Sequence, residues 1–251
     1  MHDFTSLTII AVLCAGFALC TTSADAREKD PARGFIAKTI KMDGKEIKYA
    51  VYVPESYDPK KPMPTIIFLN GYGECGTDGW RQVYHFGGAI MLSAEKWPFL
   101  VLFPQKQYAF GPSKEPNPWE DQDPMVMAIL EKSEREYNID KSRIYLTGLS
   151  QGGHGTWAIA AKHPDLFAAI APVCGWADKE TAQKLAKMPI RIFHGDADQA
   201  VNVQCSRDME KWITEAGGSC ELNIYAGVGH NSWDKAYREE DLGAWFLQHR
   251  R

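Results

Sequence analysis

The chain has 251 residues, 45% of them hydrophobic and 24% charged, with a formal net charge of −4. That length bounds it to one large domain or two small ones, and the balance of apolar and charged residues excludes disordered and fibrous classes. The weakly negative charge supplies no basic face for nucleic acid, so no nucleic-acid partner is expected.

The first stretch is short and apolar, from Leu7 to Leu19, and ends before Ala24-Asp25-Ala26, a small-x-small cleavage pattern. Residues 1–26 therefore read as a cleaved signal peptide, although no Lys or Arg precedes the apolar run. The run is too short for a membrane span, and none is expected in the mature chain. Lipoprotein anchoring at Cys20 is the alternative, disfavoured by the bulky Leu19 before it. The expected location is secreted or periplasmic, with residues 27–251 forming a single domain, since no linker, repeat or low-complexity segment divides them.

Ile36 to Met42, Asp43-Gly44 and Ile47 to Val53 read as a hairpin. Pro64 to Leu69 is a continuous apolar run of the buried parallel-strand kind, followed by the glycine-dense loop Asn70-Gly71-Tyr72-Gly73-Glu74-Cys75-Gly76. Phe99 to Phe103 is the next strand. Asp123 is expected to cap a helix with Pro124 at its first position and Val126, Ile129, Leu130 and Tyr137 on one face. Arg143 to Thr147 then leads into Gly148-Leu149-Ser150-Gln151-Gly152, and a helix follows through Ala161.

Beyond it come a strand from Ala168 to Val173 and another from Pro189 to Phe193, which ends at His194-Gly195-Asp196-Ala197-Asp198. A helix spans Ser206 to Ala216, stopped by Gly217-Gly218. The last strand, Cys220 to Tyr225, ends at Ala226-Gly227-Val228-Gly229-His230, and one closing helix runs from Trp233 to Gln248. Strands alternating with helices imply an α/β fold, a mostly parallel sheet with helices on both faces, and chemistry beyond the carboxyl ends of the strands.

A serine between glycines, on a turn from strand to helix, is the pattern of a nucleophile elbow. Ser150 is thus the candidate nucleophile. Its base must lie after the last strand, which selects His230, and the acid after an earlier one, which selects Asp198 over Asp196. Asp196 is expected to hydrogen-bond its own turn. The backbone N–H groups of Gln151 and Tyr72 are the expected oxyanion hole. Glu74 is a candidate brace for that loop. Trp119, Trp176 and Trp233 lie in loops near the same edge and could stack on a sugar or an aromatic acyl group, or simply pack. His194 is expected to anchor its turn, and His154 and His163 to be surface or core-edge residues.

Four cysteines lie outside the leader: Cys75, Cys174, Cys205 and Cys220. Cys205 and Cys220 flank a helix about 18 Å long, too far apart to pair. Cys174 and Cys205, at one edge on neighbouring strands, are the expected disulfide. Neither C-x-x-C nor H-E-x-x-H occurs, so no metal is expected.

Gly148 through Gly175, HGDADQAVNV from His194, GVGHNSW from Gly227 and the closing Trp245 together resemble the secreted esterase and "predicted peptidase" group of the α/β-hydrolase superfamily, near dienelactone hydrolases and feruloyl or polyhydroxybutyrate esterases. The resemblance implies an α/β-hydrolase fold, a Ser150–His230–Asp198 triad, Tyr72 and Gln151 at the oxyanion hole, and no cofactor. Two positions depart from the group: Asn70-Gly71 stands where His-Gly is usual, and Cys75 where Arg often follows the glutamate. The expected activity is carboxylic-ester hydrolysis through an acyl-enzyme, on small or polysaccharide-linked acyl esters. A peptidase using the same triad and a non-catalytic binding protein on the same fold are the alternatives.

Overall fold

A computed structural model of the chain describes residues 31–107 and 118–251. The expected signal peptide lies outside them. Eight strands form one sheet: β1 (Gly34–Met42), β2 (Lys45–Val53), β3 (Met63–Leu69), β4 (Leu100–Phe103), β5 (Ile139–Leu149), β6 (Ala169–Val173), β7 (Arg191–Gly195) and β8 (Glu221–Tyr225). Their spatial order is β1-β2-β4-β3-β5-β6-β7-β8. β1 and β2 form the expected hairpin, β2 meets β4 antiparallel, and every later pairing is parallel.

Every residue of β3 is buried, and the two-residue period of a strand sends alternate side chains to opposite faces. Ile67 and Leu69 join one core layer with α2 (Asp123–Glu136), α3 (Gln151–Lys162) and α5 (Gln204–Glu215). Ile66 and Phe68 join the other, under α1 (Tyr84–Leu92), α6 (Trp233–Arg238) and α7 (Leu242–Leu247). A short α4 (Lys179–Lys184) adds Ala182 to the first layer. Among the described residues, no helix is long and apolar enough to cross a membrane. The chain leaves β3 toward β4 on one side and returns to β5 on the other. The loops after β3 and β5 therefore diverge and leave a crevice at the carboxyl edge.

Two local expectations are corrected. Asp123 does not cap α2. It is the first helical residue, and its Oδ1 meets His163 Nε2 at 2.8 Å. Nor is the closing helix continuous, because it breaks between Arg238 and Leu242. The break sets acidic side chains against Arg191 on β7, whose guanidinium is nearly buried and must be neutralised. It reaches Asp241 at 2.6 Å and Glu240 at 2.9 Å, both in the break, and Glu221 on β8 at 3.2 Å. One turn on from buried Ala236 and Tyr237 stand the acidic Glu240 and Asp241, so the apolar face is interrupted there.

Candidate active site

Ser150 sits between β5 and α3 with φ 56° and ψ −117°, a region that L-residues rarely occupy. The surroundings hold it there. A side chain at Gly148 would meet Gly152 O at 2.4 Å, and one at Gly152 would meet Leu69 O at 1.9 Å. Strand and helix thus approach to a separation that only glycine permits. The turn lifts the Ser150 hydroxyl above the sheet, and Gln151 opens α3 with an N–H that has no intrahelical acceptor.

The serine, histidine and acid that sequence order selects are brought together. Ser150 Oγ lies 2.9 Å from His230 Nε2, and His230 Nδ1 lies 2.7 Å from Asp198 Oδ2. An ionised carboxylate only accepts, so Nδ1 carries the ring proton and Nε2 is left to receive one from Ser150. Asp198 is well supplied with donors. Its Oδ1 accepts from the N–H groups of Ala200 at 2.8 Å and Val201 at 2.9 Å. Burial opposes its ionisation, but the hydrogen bonds from His230, Val201 and Ala200 outweigh it and hold the carboxyl below its ordinary range.

His194 does more than anchor its turn. Its Nε2 faces Val201 O at 3.0 Å and Asp198 Oδ2 at 3.2 Å, while Nδ1 meets Ser206 Oγ at 2.7 Å. Two acceptors fix the proton on Nε2, and burial holds the ring pKa below its usual value. A neutral imidazole thus stands as a further donor behind the acid. The four-residue spacing from His194 to Asp198 was the available signal. Asp196, by contrast, is exposed and accepts from Gly227 N at 2.7 Å across to the β8 loop, not within its own turn.

The loop after β3 is laced together. Tyr72 opens a short 3-10 turn through Glu74, and Glu74 does brace it, accepting from Gly71 N at 3.1 Å and meeting His85 Nε2 at 3.2 Å. Buried Asn70 donates to Gly71 O at 2.7 Å and accepts from Lys106 N at 3.0 Å. Cys75 Sγ lies 3.4 Å from Gly71 O. The two departures from the resembled group are therefore both internal struts of this loop.

The three tryptophans divide. Trp119 is no stacking platform: it is wholly buried, packs on Gly155 of α3, and donates from Nε1 to Asn70 O at 3.1 Å. Trp233 is half-buried, its ring edge-on to His230 at 5.3 Å. Trp176 is half-buried and stacks on His154, with 4.9 Å between ring centres and 5° between planes. His154 sits at the core edge, as expected, and is held on both sides. Its Nδ1 meets Trp176 O at 2.8 Å and its Nε2 meets Glu120 at 2.9 Å, so both ring nitrogens face acceptors and the imidazolium is favoured.

Burial lowers the His154 pKa, but the Glu120 hydrogen bond, the Trp176 carbonyl and the Glu120 charge raise it further, and the net shift is upward. Glu120 is held below its ordinary value against its own burial, chiefly by His154. Histidine's contribution to stability is complete below 6.5 and is lost as pH rises through the raised folded value. Glutamate's is complete above 4.5 and is lost as pH falls through its depressed value. The pair thus stabilises most between those two limits. Urea unfolding across pH should show a decline above 6.5 in the native chain that His154→Gln lacks; parallel curves would refute the assignment.

The expected Cys174–Cys205 disulfide is not formed, and all four described cysteines are free. Cys174 is turned beneath the site instead, with Sγ and ligand atoms of Asp198 and His230 all within 4.8 Å of one another. Burial pushes its thiol pKa up to about 12.

A strained serine on a strand-to-helix turn, at the carboxyl edge of this sheet, defines an α/β-hydrolase. The chain belongs to the phospholipase/carboxylesterase family, whose model matches residues 109–239, just over half of it. It is 28% identical to carboxylesterase SOBER1 of Arabidopsis thaliana over 116 residues, 44% of this chain and 50% of that one. It is 24% identical to acetylxylan esterase A of Emericella nidulans over 167 residues, covering 64% and 53%. The solved structure of a thermostable esterase superposes with a TM-score of 0.76 at 34% identity, over 86% of this chain and 63% of that one. The chain spans about half the length of the curated relatives it matches.

Proposed function

We propose that this chain hydrolyses carboxylic esters by two-step acyl transfer. Ser150 Oγ attacks the ester carbonyl while its proton passes to His230 Nε2, and the leaving alcohol takes that proton as the acyl–oxygen bond breaks. Water, deprotonated by the same imidazole, then releases the acid and restores the serine. Asp198 holds the ring in the required tautomer and offsets the imidazolium charge. The N–H groups of Gln151 and Tyr72 receive the oxyanion. The observation that carries this reading is the unbroken Ser150–His230–Asp198 hydrogen-bond chain on a strained elbow.

Small or carbohydrate-linked acyl esters are the substrate class. Partly exposed Trp233, against His230, and Trp176, stacked on His154 of the helix that follows Ser150, suit a flat sugar or aromatic group, and an acetylxylan esterase is among the relatives. Export after removal of residues 1–26 fits a substrate outside the cell. The purified chain should hydrolyse at least one of acetyl, butyryl, octanoyl, feruloyl and acetyl-sugar esters, and Ser150→Ala should lower turnover at least ~10³-fold. Equal rates in both proteins would discard the mechanism. Cleavage of peptides but of no ester would favour the peptidase.

A further inference from the structure

Lys106, three residues beyond β4, is buried to 2% exposure, yet its ammonium has a single hydrogen-bond partner among the described residues, the neutral Gln151 Oε1 at 2.9 Å. No carboxylate oxygen of a described residue lies within 4.0 Å of it. A buried cation whose one described hydrogen-bond partner is neutral is costly, and packing alone would favour an apolar side chain of similar length.

The socket around it is built from candidate oxyanion-hole parts. The Lys106 N–H donates to Asn70 Oδ1 at 3.0 Å, and its carbonyl accepts from Gly76 N at 2.9 Å. Those contacts pin it to the loop that carries Tyr72. Its side chain reaches Gln151, the residue directly after the nucleophile. One lysine therefore joins both halves of the hole and brings a positive charge one side chain away from it.

We propose that Lys106 is a positioning residue for the oxyanion hole: its ammonium fixes Gln151 and supplies positive potential where negative charge develops on the substrate oxygen. This rests on the ester-hydrolase reading above. Because the ammonium is buried, it acts through Gln151 and the field, not by touching substrate. The interaction with such a fixed potential grows as charge forms, so it raises kcat more than it tightens ground-state binding.

The charged and titratable groups facing Lys106 are Cys75 on the oxyanion loop, Glu120 and Asp121 on the turn before α2, and His154 on α3. Burial lowers the lysine pKa and outweighs the support from Cys75, Glu120 and Asp121. The ammonium is therefore lost at a lower pH than that of an exposed lysine, and kcat should fall on the alkaline side as it goes.

The test compares the native chain, Lys106→Met, Gln151→Met and Ser150→Ala on a soluble aryl ester, with thermal unfolding of each. Lys106→Met should lower kcat about 10-fold, leave KM within about twofold, and weaken a boronic-acid inhibitor about as much as it lowers kcat. It should also lose the alkaline limb of kcat, while unfolding at the same temperature or higher because a buried charge has gone. Gln151→Met should lower kcat in a manner not additive with Lys106→Met. Unchanged kcat, or a loss of kcat that keeps the alkaline limb and lowers the unfolding temperature, overturns the inference. If Lys106→Met does not fold, additive or absent effects in Gln151→Met combined with Lys106→Gln overturn it instead. Equal activity of the native chain and Ser150→Ala would defeat the ester-hydrolase reading itself.

Discussion

Asp198→Asn will lower kcat about 10⁴-fold and leave the protein folded. The reason lies in the donors around the carboxylate. Ala200 N and Val201 N both point at Oδ1, so the amide oxygen of an asparagine must take that side. Its NH₂ group then occupies the Oδ2 position, facing His230 Nδ1 at 2.7 Å and His194 Nε2 at 3.2 Å. Donor would face donor. His230 must move its proton to Nε2, where it can no longer accept from Ser150. Asp196→Asn should change kcat less than about twofold, because an amide oxygen still accepts from Gly227 N. Steady-state kinetics with circular dichroism on both variants decides the matter, and the reverse pattern would move the acid to Asp196.

A large stability loss is expected from a small addition. Gly152→Ala places a methyl carbon 1.9 Å from Leu69 O and 2.8 Å from Asn70 O, both main-chain atoms at the end of β3. Neither can rotate away. Relief requires α3 to lift from the sheet, which disturbs the elbow and the oxyanion loop together. The cost should be on the order of 4 kcal/mol, at the upper end for a single substitution. Gly73→Ala, where an added methyl meets nothing within 4 Å and φ is not positive, should cost less than about 0.5 kcal/mol. Urea midpoints measure both, and similar losses would mean that the strand–helix approach is not what the glycine serves.

The parts legible in the sequence are those fixed by local periodicity and by glycine. Pro64 to Leu69 announces a doubly buried strand, and Gly148 and Gly152 around Ser150 announce the elbow. The order of Ser150, Asp198 and His230 along the chain follows from where loops must fall in a parallel sheet. What was not legible depends on partners distant in sequence. Trp119 and Trp176 look alike in sequence, yet Trp119 packs on Gly155 and bonds Asn70 O in the core while Trp176 stays half-exposed. Asp123 stands in a capping position yet serves His163 forty residues on. The acidic residues in the break after Arg238 meet Arg191 on a distant strand. Lys106 would pass for an ordinary surface lysine in any one-dimensional reading, since its contacts to Asn70, Gly76 and Gln151 come from segments distant in sequence.

The Arg191 cluster also bears on the proposed base, His230, although it lies at the opposite end of β7. Glu221 begins β8, and Glu240 and Asp241 follow α6, so one guanidinium staples both feet of the segment that carries His230. That segment is a ring closed at its base, not an arm reaching over the crevice. Closing it restricts how far the imidazole can wander, and the restraint is indifferent to the composition of the turn between. The residues flanking His230 can thus vary while the imidazole keeps its station beside Ser150.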